Sequence, residues 1–354
     1  MAREFGTRLH FLGLAVIYLL ATAGLFAQRP AFPTYSITDL GTLGGPSSEA
    51  AGLNLLGDVV GSSTTVDGLS HAFLYRNGQM VDLGTLPGGT TSHATAITDD
   101  GVIVGYGGIN RYGPMFREFT QGFIWQDGVL SELGALYCPC SFNVRHGTSR
   151  ALAISRTGRI VGDSRVHRMA LTHAFLWQAG AMDDYGNALN PVVDSVAYDV
   201  NDVDGVVGTL GGRAFFTRDG MSEDLGVLAG HETSSARAVN NIGQVAGNSF
   251  TAAGVSRAFL WDRGVMRDLG MLFGDDASEA RAINIAGQVV GRSGPANFAT
   301  SRAALWQDGV ALDLNTLVTV PGWVLTNATG INDVGQVVGV GIHNGAVRAF
   351  RLDP

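Results

Sequence analysis

Lysine is absent from this chain of 354 residues: all 23 basic residues are arginines, against 31 aspartates and glutamates, and the formal net charge is −8 at pH 7. Without lysine, Schiff-base catalysis and the lysine of phosphate-binding loops are excluded. An acidic chain without a basic tail is also poorly suited to nucleic-acid phosphates. We therefore expect no nucleic-acid partner, and no sequence motif points to a cofactor.

Apolar runs long enough to span a membrane are also missing after the N-terminal leader. In the leader, Arg3 and Arg8 precede an apolar run from about Phe11 to Leu25, and small residues follow near Ala27. This order is typical of a secretory signal peptide, and the run is short for a membrane span. We predict a cleaved signal peptide at residues 1–27, with an uncleaved anchor as the alternative. The mature chain is then secreted, to the periplasm, the cell surface or the medium.

Cysteine occurs only twice, at Cys138 and Cys140. In an exported chain the thiols tend to oxidise, although a disulfide between residues so close in sequence is strained. A local disulfide, free or intermolecular thiols, and a metal site with His146 all stay open. We expect no metal, because His146 supplies only a third ligand.

The abundant residues are glycine, at 50 copies, and hydrophobic residues, at 45%, with only 15% charged, which indicates a folded all-β chain rich in turns. An internal repeat organises it. One alanine per repeat, hereafter the alanine column, recurs at spacings of 44, 57, 46, 39, 44 and 48 residues: Ala50, Ala94, Ala151, Ala197, Ala236, Ala280 and Ala328. Periods of this size are typical of blades or arrays.

Each repeat predicts four strands. Four residues after the alanine comes a polar residue, such as Asn54, and seven residues later a glycine, such as Gly61, ends the second strand in every repeat. This constant distance predicts a tight hairpin, with glycine, or Asp204 in repeat four, at positive φ. An apolar third strand and a fourth strand with an Asp-Leu-Gly pattern follow, joined by turns that include Asn77-Gly78.

The fourth strand is missing after the last repeat, whereas an additional copy, Asp39-Leu40-Gly41, precedes the first alanine. An array that completes its final unit with its N-terminal strand is a closed ring. We predict an all-β, seven-bladed β-propeller of four-stranded blades over residues 34–354, as a single domain and a monomer. An open β-solenoid is the alternative, but it gives no reason to divide one unit between both termini. The first and third positions of strand one, small except for Asp199, favour its placement next to the axis.

The histidine before the alanine of strand three gives a family resemblance. His71-Ala72-Phe73 and His173-Ala174-Phe175, with residues 78–86 and 331–339, resemble the HAF repeat of bacterial extracellular proteins over about residues 34–354. The resemblance implies a secreted or surface-exposed repeat protein, without catalytic residues to transfer. Other repeats replace the histidine, so it is not a ring of metal ligands: Gln121, Arg213, Arg257, Arg302 and Arg348.

Variable connections, from strand two to three and from strand four to the next repeat, should emerge on one face of the ring, where function usually lies. The longest are those of repeat two, with the start of repeat three beside them. They carry the candidate ligand-binding residues Arg111, Tyr112, Phe116, Arg117, Phe119, Tyr137, Phe142, Arg145, His146, Arg165, His167 and Arg168. Arginine forks and aromatic rings fit an anionic or sugar-like ligand, although aromatic residues packed under solvated arginines are an equally simple interpretation.

Other motifs give weaker evidence for a functional site. The Asp-rich turn at residues 199–205 has Val203 where a calcium loop needs an oxygen ligand, and the adjacent acids Asp183-Asp184 point to opposite faces of a strand. His231, Glu232 and Trp323 lie in other variable connections as weaker candidates.

Three functions remain open from the sequence. The favoured one is an exported, non-catalytic protein that binds a surface protein or a polysaccharide, anionic in character, on its variable loops. The alternative is a hydrolase or lyase acting on an acidic polysaccharide, with His146 or His167 as the base. A purely structural envelope protein is the third.

Overall fold

The computed structural model describes residues 34–110, 119–136, 147–166 and 171–354, and in these ranges the chain forms 28 strands and two short helices. Strand β1 spans Ser36–Asp39. Blade one contains β2 (Gly44–Leu53), β3 (Val59–Thr65), β4 (Ser70–Arg76) and β5 (Gln79–Asp82), and blade two contains β6 (Ser92–Ile97), β7 (Ile103–Ile109), β8 (Phe119–Gln126) and β9 (Val129–Gly134). Blade three contains β10 (Ser149–Ile154), β11 (Ile160–Val166), β12 (Leu171–Gln178) and β13 (Ala181–Asp184), followed by helix α1 (Tyr185–Leu189).

The second half continues the pattern. Blade four contains β14 (Ser195–Val200), β15 (Val206–Leu210), β16 (Arg213–Arg218) and β17 (Met221–Gly226), and blade five contains β18 (Thr233–Val239), β19 (Val245–Phe250), β20 (Ser256–Asp262) and β21 (Val265–Asp268). Blade six contains β22 (Ala277–Ile283), β23 (Val289–Gly294), β24 (Arg302–Gln307) and β25 (Val310–Asp313), and a 3₁₀ turn follows at Leu314–Thr316. Blade seven contains β26 (Trp323–Ile331), β27 (Val337–His343) and β28 (Ala346–Asp353).

The strands form seven antiparallel four-stranded sheets, and β1 is the fourth strand of blade seven. It pairs with β28 in the register Ile37 to Leu352 and Asp39 to Phe350. The prediction of a seven-bladed β-propeller closed by its N-terminal strand is therefore confirmed. In the described residues, no helix is long and apolar enough to cross a bilayer.

The first strand of each blade contacts the first strands of both neighbouring blades, which places it innermost. The alanine column is buried in all seven blades. Beside it, the glycine that ends strand two has no room for a side chain: in blade two, a Cβ on Gly105 would collide with the His93 carbonyl and lie 2.7 Å from the Phe123 ring. The phenylalanine of strand three thus packs directly on this glycine, which explains why both recur.

A column of serines, two residues before the alanine column, joins adjacent blades. Ser92 of blade two accepts a hydrogen bond from the Ala72 N–H of blade one at 2.8 Å, and donates to the Gly84 carbonyl at 2.5 Å. Ser48, Ser149, Ser195, Ser234 and Ser278 accept the equivalent bond from the preceding blade. The sequence pattern did not predict that these serines join adjacent blades.

The tight turns between strands one and two lie together around the axis on one face, hereafter the hairpin face. The opposite face carries the variable connections and is hereafter the variable face. Asp204, which replaces the turn glycine in blade four, has a φ of 66°, so the prediction of a left-handed backbone there is confirmed. The asparagine that opens the turn donates to the next blade, as Asn284 does to the Asn332 carbonyl at 3.1 Å.

Candidate functional site

Most of the loop residues predicted as a site lie outside the residues that the structure describes. These are Arg111, Tyr112, Phe116, Arg117, Tyr137, Phe142, Arg145, His146, His167 and Arg168, together with Cys138 and Cys140. Of the described pair, Phe119 begins β8 in blade two, and Arg165 lies exposed near the end of β11 in blade three. The Arg165 backbone N–H donates to the Thr148 carbonyl at 3.0 Å. Both residues therefore lie at strand ends next to variable connections.

A different set of residues surrounds a cavity of about 490 Å³ on the propeller axis, hereafter the axial pocket. Every one of the seven blades contributes to its wall. Its larger polar side chains are Glu49, His93, Tyr106, Tyr198, Arg237 and Arg281. The wall comes from the early and central parts of the inner strands, so the pocket lies toward the variable face.

Most of the wall residues occupy two positions of the repeat, immediately before and immediately after the alanine column, while Ser62 and Tyr106 belong to strand two. Alternate residues of a strand point to opposite sides, so the neighbours of the buried alanine turn toward the axis. The position before holds Glu49, His93 and Asn327, and the position after holds Thr95, Leu152, Tyr198, Arg237, Arg281 and Thr329. The scaffold is repeated, but its axial lining differs in every blade.

Blades five and six place a cluster of guanidinium groups at the pocket. The Glu279 carboxylate accepts from Arg281 at 2.8 Å and from Arg292, its cross-strand partner, at 2.9 Å. Burial lowers the pKa of Arg281; Glu279 opposes this shift, whereas Arg237 and Arg292 add to it. Arg281 and Arg292 thus share one carboxylate, and Arg237 adds a third positive charge close enough to lower the pKa of Arg281, which leaves this side of the pocket positively charged.

Arg237 is held by an aromatic ring rather than by an acid. Its guanidinium carbon lies 4.0 Å from the centre of the Tyr198 ring, a cation–π contact between blades five and four. The buried Nε atoms of Arg237 and Arg281 and the Oδ1 atom of Asn327 have no hydrogen-bond partner among the described residues. Buried polar atoms are usually satisfied, so three unsatisfied atoms around one cavity indicate a place for a polar ligand or for water.

Blade two lies across the axis from blades five and six in a ring of seven. Its His93 and Tyr106 rings are 5.4 Å apart, and the Arg150 guanidinium lies 6.0 Å from the Tyr106 ring. Burial lowers the pKa of His93, and nearby Glu49 acts in the opposite direction. The shift favours the uncharged imidazole. Asp163 forms an ion pair with Arg150 at 2.9 Å.

These contacts define what the pocket can do. One side offers guanidinium donors for an anion, the other offers a neutral imidazole and a tyrosine, and Thr95, Thr329 and Asn327 add groups that match hydroxyls. Within the described ranges, no three His, Cys, Asp or Glu side chains converge as a metal site. The arrangement suits an anionic, hydroxylated ligand.

The small residues at the first and third positions of strand one do not reveal the pocket, because its wall comes mainly from the positions beside them. A signal was present between them. The residue after each alanine runs Ala51, Thr95, Leu152, Tyr198, Arg237, Arg281 and Thr329, and this change of chemistry inside a strict repeat is not needed for folding. The sequence alone does not show that these residues surround a single pocket.

The variable histidine of strand three has a structural role. His71 donates from Nδ1 to Asp82 of strand four at 2.9 Å, and His173 does so to Asp184 at 2.9 Å. In blades four, five and six an arginine replaces the histidine and forms an ion pair with the equivalent aspartate. The pairs are Arg213 with Asp224, Arg257 with Asp268, and Arg302 with Asp313. Either side chain can donate to the carboxylate of strand four, which is the constant partner in these blades.

Of the weaker candidates, Trp323 stacks on His343 with ring centres 4.4 Å apart and planes at 5°. His343 in turn donates to Asp39 of β1 at 2.7 Å. This contact supports the closure of the ring. His231 and Glu232 lie just before β18, where the Glu232 N–H donates to the Phe250 carbonyl at 2.8 Å.

The fold defines the class of the protein, a seven-bladed β-propeller. It is similar to oligogalacturonate lyase from Vibrio parahaemolyticus (TM-score 0.55, 10% identity, 91% of this chain and 95% of that one). It is similar to the β-propeller domain of the Trilobed protease from Pyrococcus furiosus (TM-score 0.50, 11% identity, 87% and 96%). Acylaminoacyl peptidase from Pyrococcus horikoshii gives a TM-score of 0.49 at 14% identity, over 80% of this chain and 48% of that one, so this chain spans about half of its length.

At these identities the likeness establishes the propeller fold alone. No protein-family model matches the chain, and no curated protein sequence does so either.

Proposed function

We propose that the protein is an exported, non-catalytic binding module that holds an acidic polysaccharide on the variable face of its propeller. The observation that supports this most directly is the guanidinium cluster at the axial pocket. Arg281 and Arg292 share the carboxylate of Glu279, and Arg237 adds a third positive charge beside them. A carboxylate or sulfate group in the pocket would accept hydrogen bonds from these guanidinium groups and offset their charge.

The basic and aromatic loop residues predicted from the sequence fit the same proposal. They belong to the connections from β7 to β8, from β9 to β10 and from β11 to β12, all of which leave the sheets on the variable face. A polymer that enters the axial pocket would continue over that face. The loops would then extend the contact along the chain, while the pocket fixes one charged unit.

A second candidate function is a lyase or hydrolase acting on the same class of polymer. The specific observation in its favour is His93, neutral because burial lowers its pKa, across the axis from the guanidinium cluster. A neutral base facing a cationic carboxylate-binding site can remove the proton next to a sugar carboxylate. His93 would take the place of His146 and His167 as the base.

The test is binding of the purified mature protein to a panel of acidic and neutral polysaccharides, beside an Arg237→Gln variant. We expect salt-sensitive binding to acidic members and a loss of about tenfold or more in the variant, since hydrogen bonds to charged groups are worth about 1.5–3 kcal/mol. The matched control is Arg263→Gln, at a hairpin tip where the side chain is 90% exposed.

Binding that persists unchanged in Arg237→Gln would remove the axial pocket from the proposal. A complete lack of binding to every acidic polysaccharide would overturn the proposal itself. Release of unsaturated or reducing ends during the assay, abolished by His93→Ala, would favour the enzyme over the binding module.

A further inference from the structure

The described residues enclose a second cavity besides the axial pocket. It has a volume of about 180 Å³, lies at the hairpin face, and is lined by residues such as Asn54, Asp99, Arg156 and Asp333. The two cavities share no lining residue, so each has its own set of side chains.

Along the inner strands, the layer of residues between the two linings is the third position of strand one. Six of its seven residues are alanine or glycine, and the seventh is Asp199. Small residues let the strands approach closely: a Cβ on Gly52 would lie 3.0 Å from the Thr95 carbonyl of the next blade. Asp199 crosses to blade five, where its carboxylate accepts from the Val239 N–H at 2.9 Å.

Below this layer, asparagine side chains join the turns around the axis. The side-chain amides of Asn201, Asn240, Asn284, Asn332 and Asn54 each donate to a backbone carbonyl of the next blade, at 2.9–3.2 Å. Five of the seven blade junctions are closed in this way. The hairpin end of the axis is thus held by hydrogen bonds, and its cavity is smaller than the axial pocket toward the variable face.

Resting on the proposed function, we propose that the axial pocket is a dead end that takes the terminal unit of an acidic sugar chain, not a segment from its interior. Arg237 and Arg281 follow the alanine column and so attach one step deeper than Glu49, His93 and Glu279, which precede it. A chain lying across the variable face passes above this level. A terminal unit can enter and place its carboxylate at the guanidinium cluster.

The size of the pocket supports a sugar rather than a small inorganic anion. At about 30 Å³ per water molecule, a volume of about 490 Å³ holds far more than one small ion. It lies in the range of about 300–1,000 Å³ that encloses organic ligands. The hydroxyls of Thr95 and Thr329 donate to backbone carbonyls, so toward such a ligand their oxygens act as acceptors for its hydroxyl groups.

The test is titration calorimetry with uronic-acid oligomers of increasing length as the probe, galacturonate and mannuronate series in parallel. If the pocket binds the end of an oligomer, the number of protein molecules bound per oligomer should not change with oligomer length. The affinity per oligomer should also stay similar. Chemical modification of the recognised end should lower affinity at least tenfold, while modification of the opposite end should not. Ala51→Phe, which fills the pocket, should abolish binding, with Val66→Phe, a loop residue that is 83% exposed, as the control.

The outcomes separate this inference from the proposed function. Binding whose stoichiometry rises in proportion to chain length, and which neither end modification weakens, would overturn terminal recognition and leave the binding function standing. No binding of any oligomer or polymer would overturn both. If Ala51→Phe does not fold, the length and end-modification series on the unaltered protein still decides the question.

Discussion

The Nδ2 atom of Asn332 donates a hydrogen bond to the carbonyl of Asn54 at 3.0 Å, across 278 residues of sequence. It connects the turn of blade seven to the turn of blade one. The Asn332 side chain also serves its own turn, where Oδ1 accepts from the Gln336 N–H at 2.9 Å. One buried amide thus shapes a local hairpin and holds the ring together.

Replacement of Asn332 by alanine should destabilise the protein by about 1–3 kcal/mol, because the Gln336 N–H loses its partner in a buried site and the Asn54 carbonyl keeps only the bond from the Gly57 N–H. Urea denaturation measures the change. Asn187→Ala, on the exposed side of helix α1, is the matched control and should have little effect. Equal stability of both variants would show that the inter-blade amides do not stabilise the ring.

The N-terminal strand should contribute as much to stability as an interior strand. Leu40, directly after β1, is 3% exposed and packs with Val338 and Ala349 of blade seven and with Phe73 of blade one. Leu40→Ala is expected to cost about 2–5 kcal/mol, as for other buried leucines. Val66→Ala, at an exposed loop, should change stability by less than about 0.5 kcal/mol. A Leu40 variant as stable as the Val66 variant would contradict closure through β1.

Histidine and arginine should be interchangeable where the histidine has room. His71 is partly exposed and pairs with Asp82, so His71→Arg should retain stability, whereas His71→Ala should lose at most about 1 kcal/mol. The imidazole of His173 is only 2% exposed, and the larger side chain in His173→Arg should cost about 1–3 kcal/mol by overpacking. Thermal unfolding of the three variants would distinguish these cases, and a His173→Arg protein of unchanged stability would refute the packing argument.

Asp199 should make stability depend on pH. Burial raises its pKa to about 7, against the hydrogen bonds from Val239 and Val200 that lower it, and nearby Asp202 adds to the increase. The unfolded state ionises near pH 4, so the folded state binds the proton more tightly and loses stability as pH rises from about 4 to about 7. Asp199→Asn should remove this slope, which is of the order of 1 kcal/mol per pH unit.

Denaturation curves between about pH 5 and pH 8 would measure the slope of Asp199→Asn against the unaltered protein. Asp219→Asn, an exposed aspartate in a hairpin turn, is the control and should keep the original slope. Parallel curves for the unaltered protein and Asp199→Asn would show that Asp199 does not titrate in this range.

Spacing alone was sufficient to predict the fold. The constant hairpin between Asn54 and Gly61 and its equivalents, and the extra Asp39-Leu40-Gly41 before the first repeat, are local patterns whose pairing rules are general. The role of the serines was not visible, because Ser92 bonds to Ala72 and Gly84 of the preceding blade. In four blades the serine follows its donor N–H by 20 or 21 residues, but the spacing alone does not show that the bond crosses to the neighbouring blade.

The sequence by itself determined the number of blades, the strand order and the division of one blade between the two termini, because a repeat records its own local geometry. Only the tertiary structure decided that Glu49, His93, Tyr198, Arg237 and Arg281 line one cavity. These residues come from five blades, and closure of the ring is what brings them together. The axial pocket is a property of the closed ring, since no single repeat contains it.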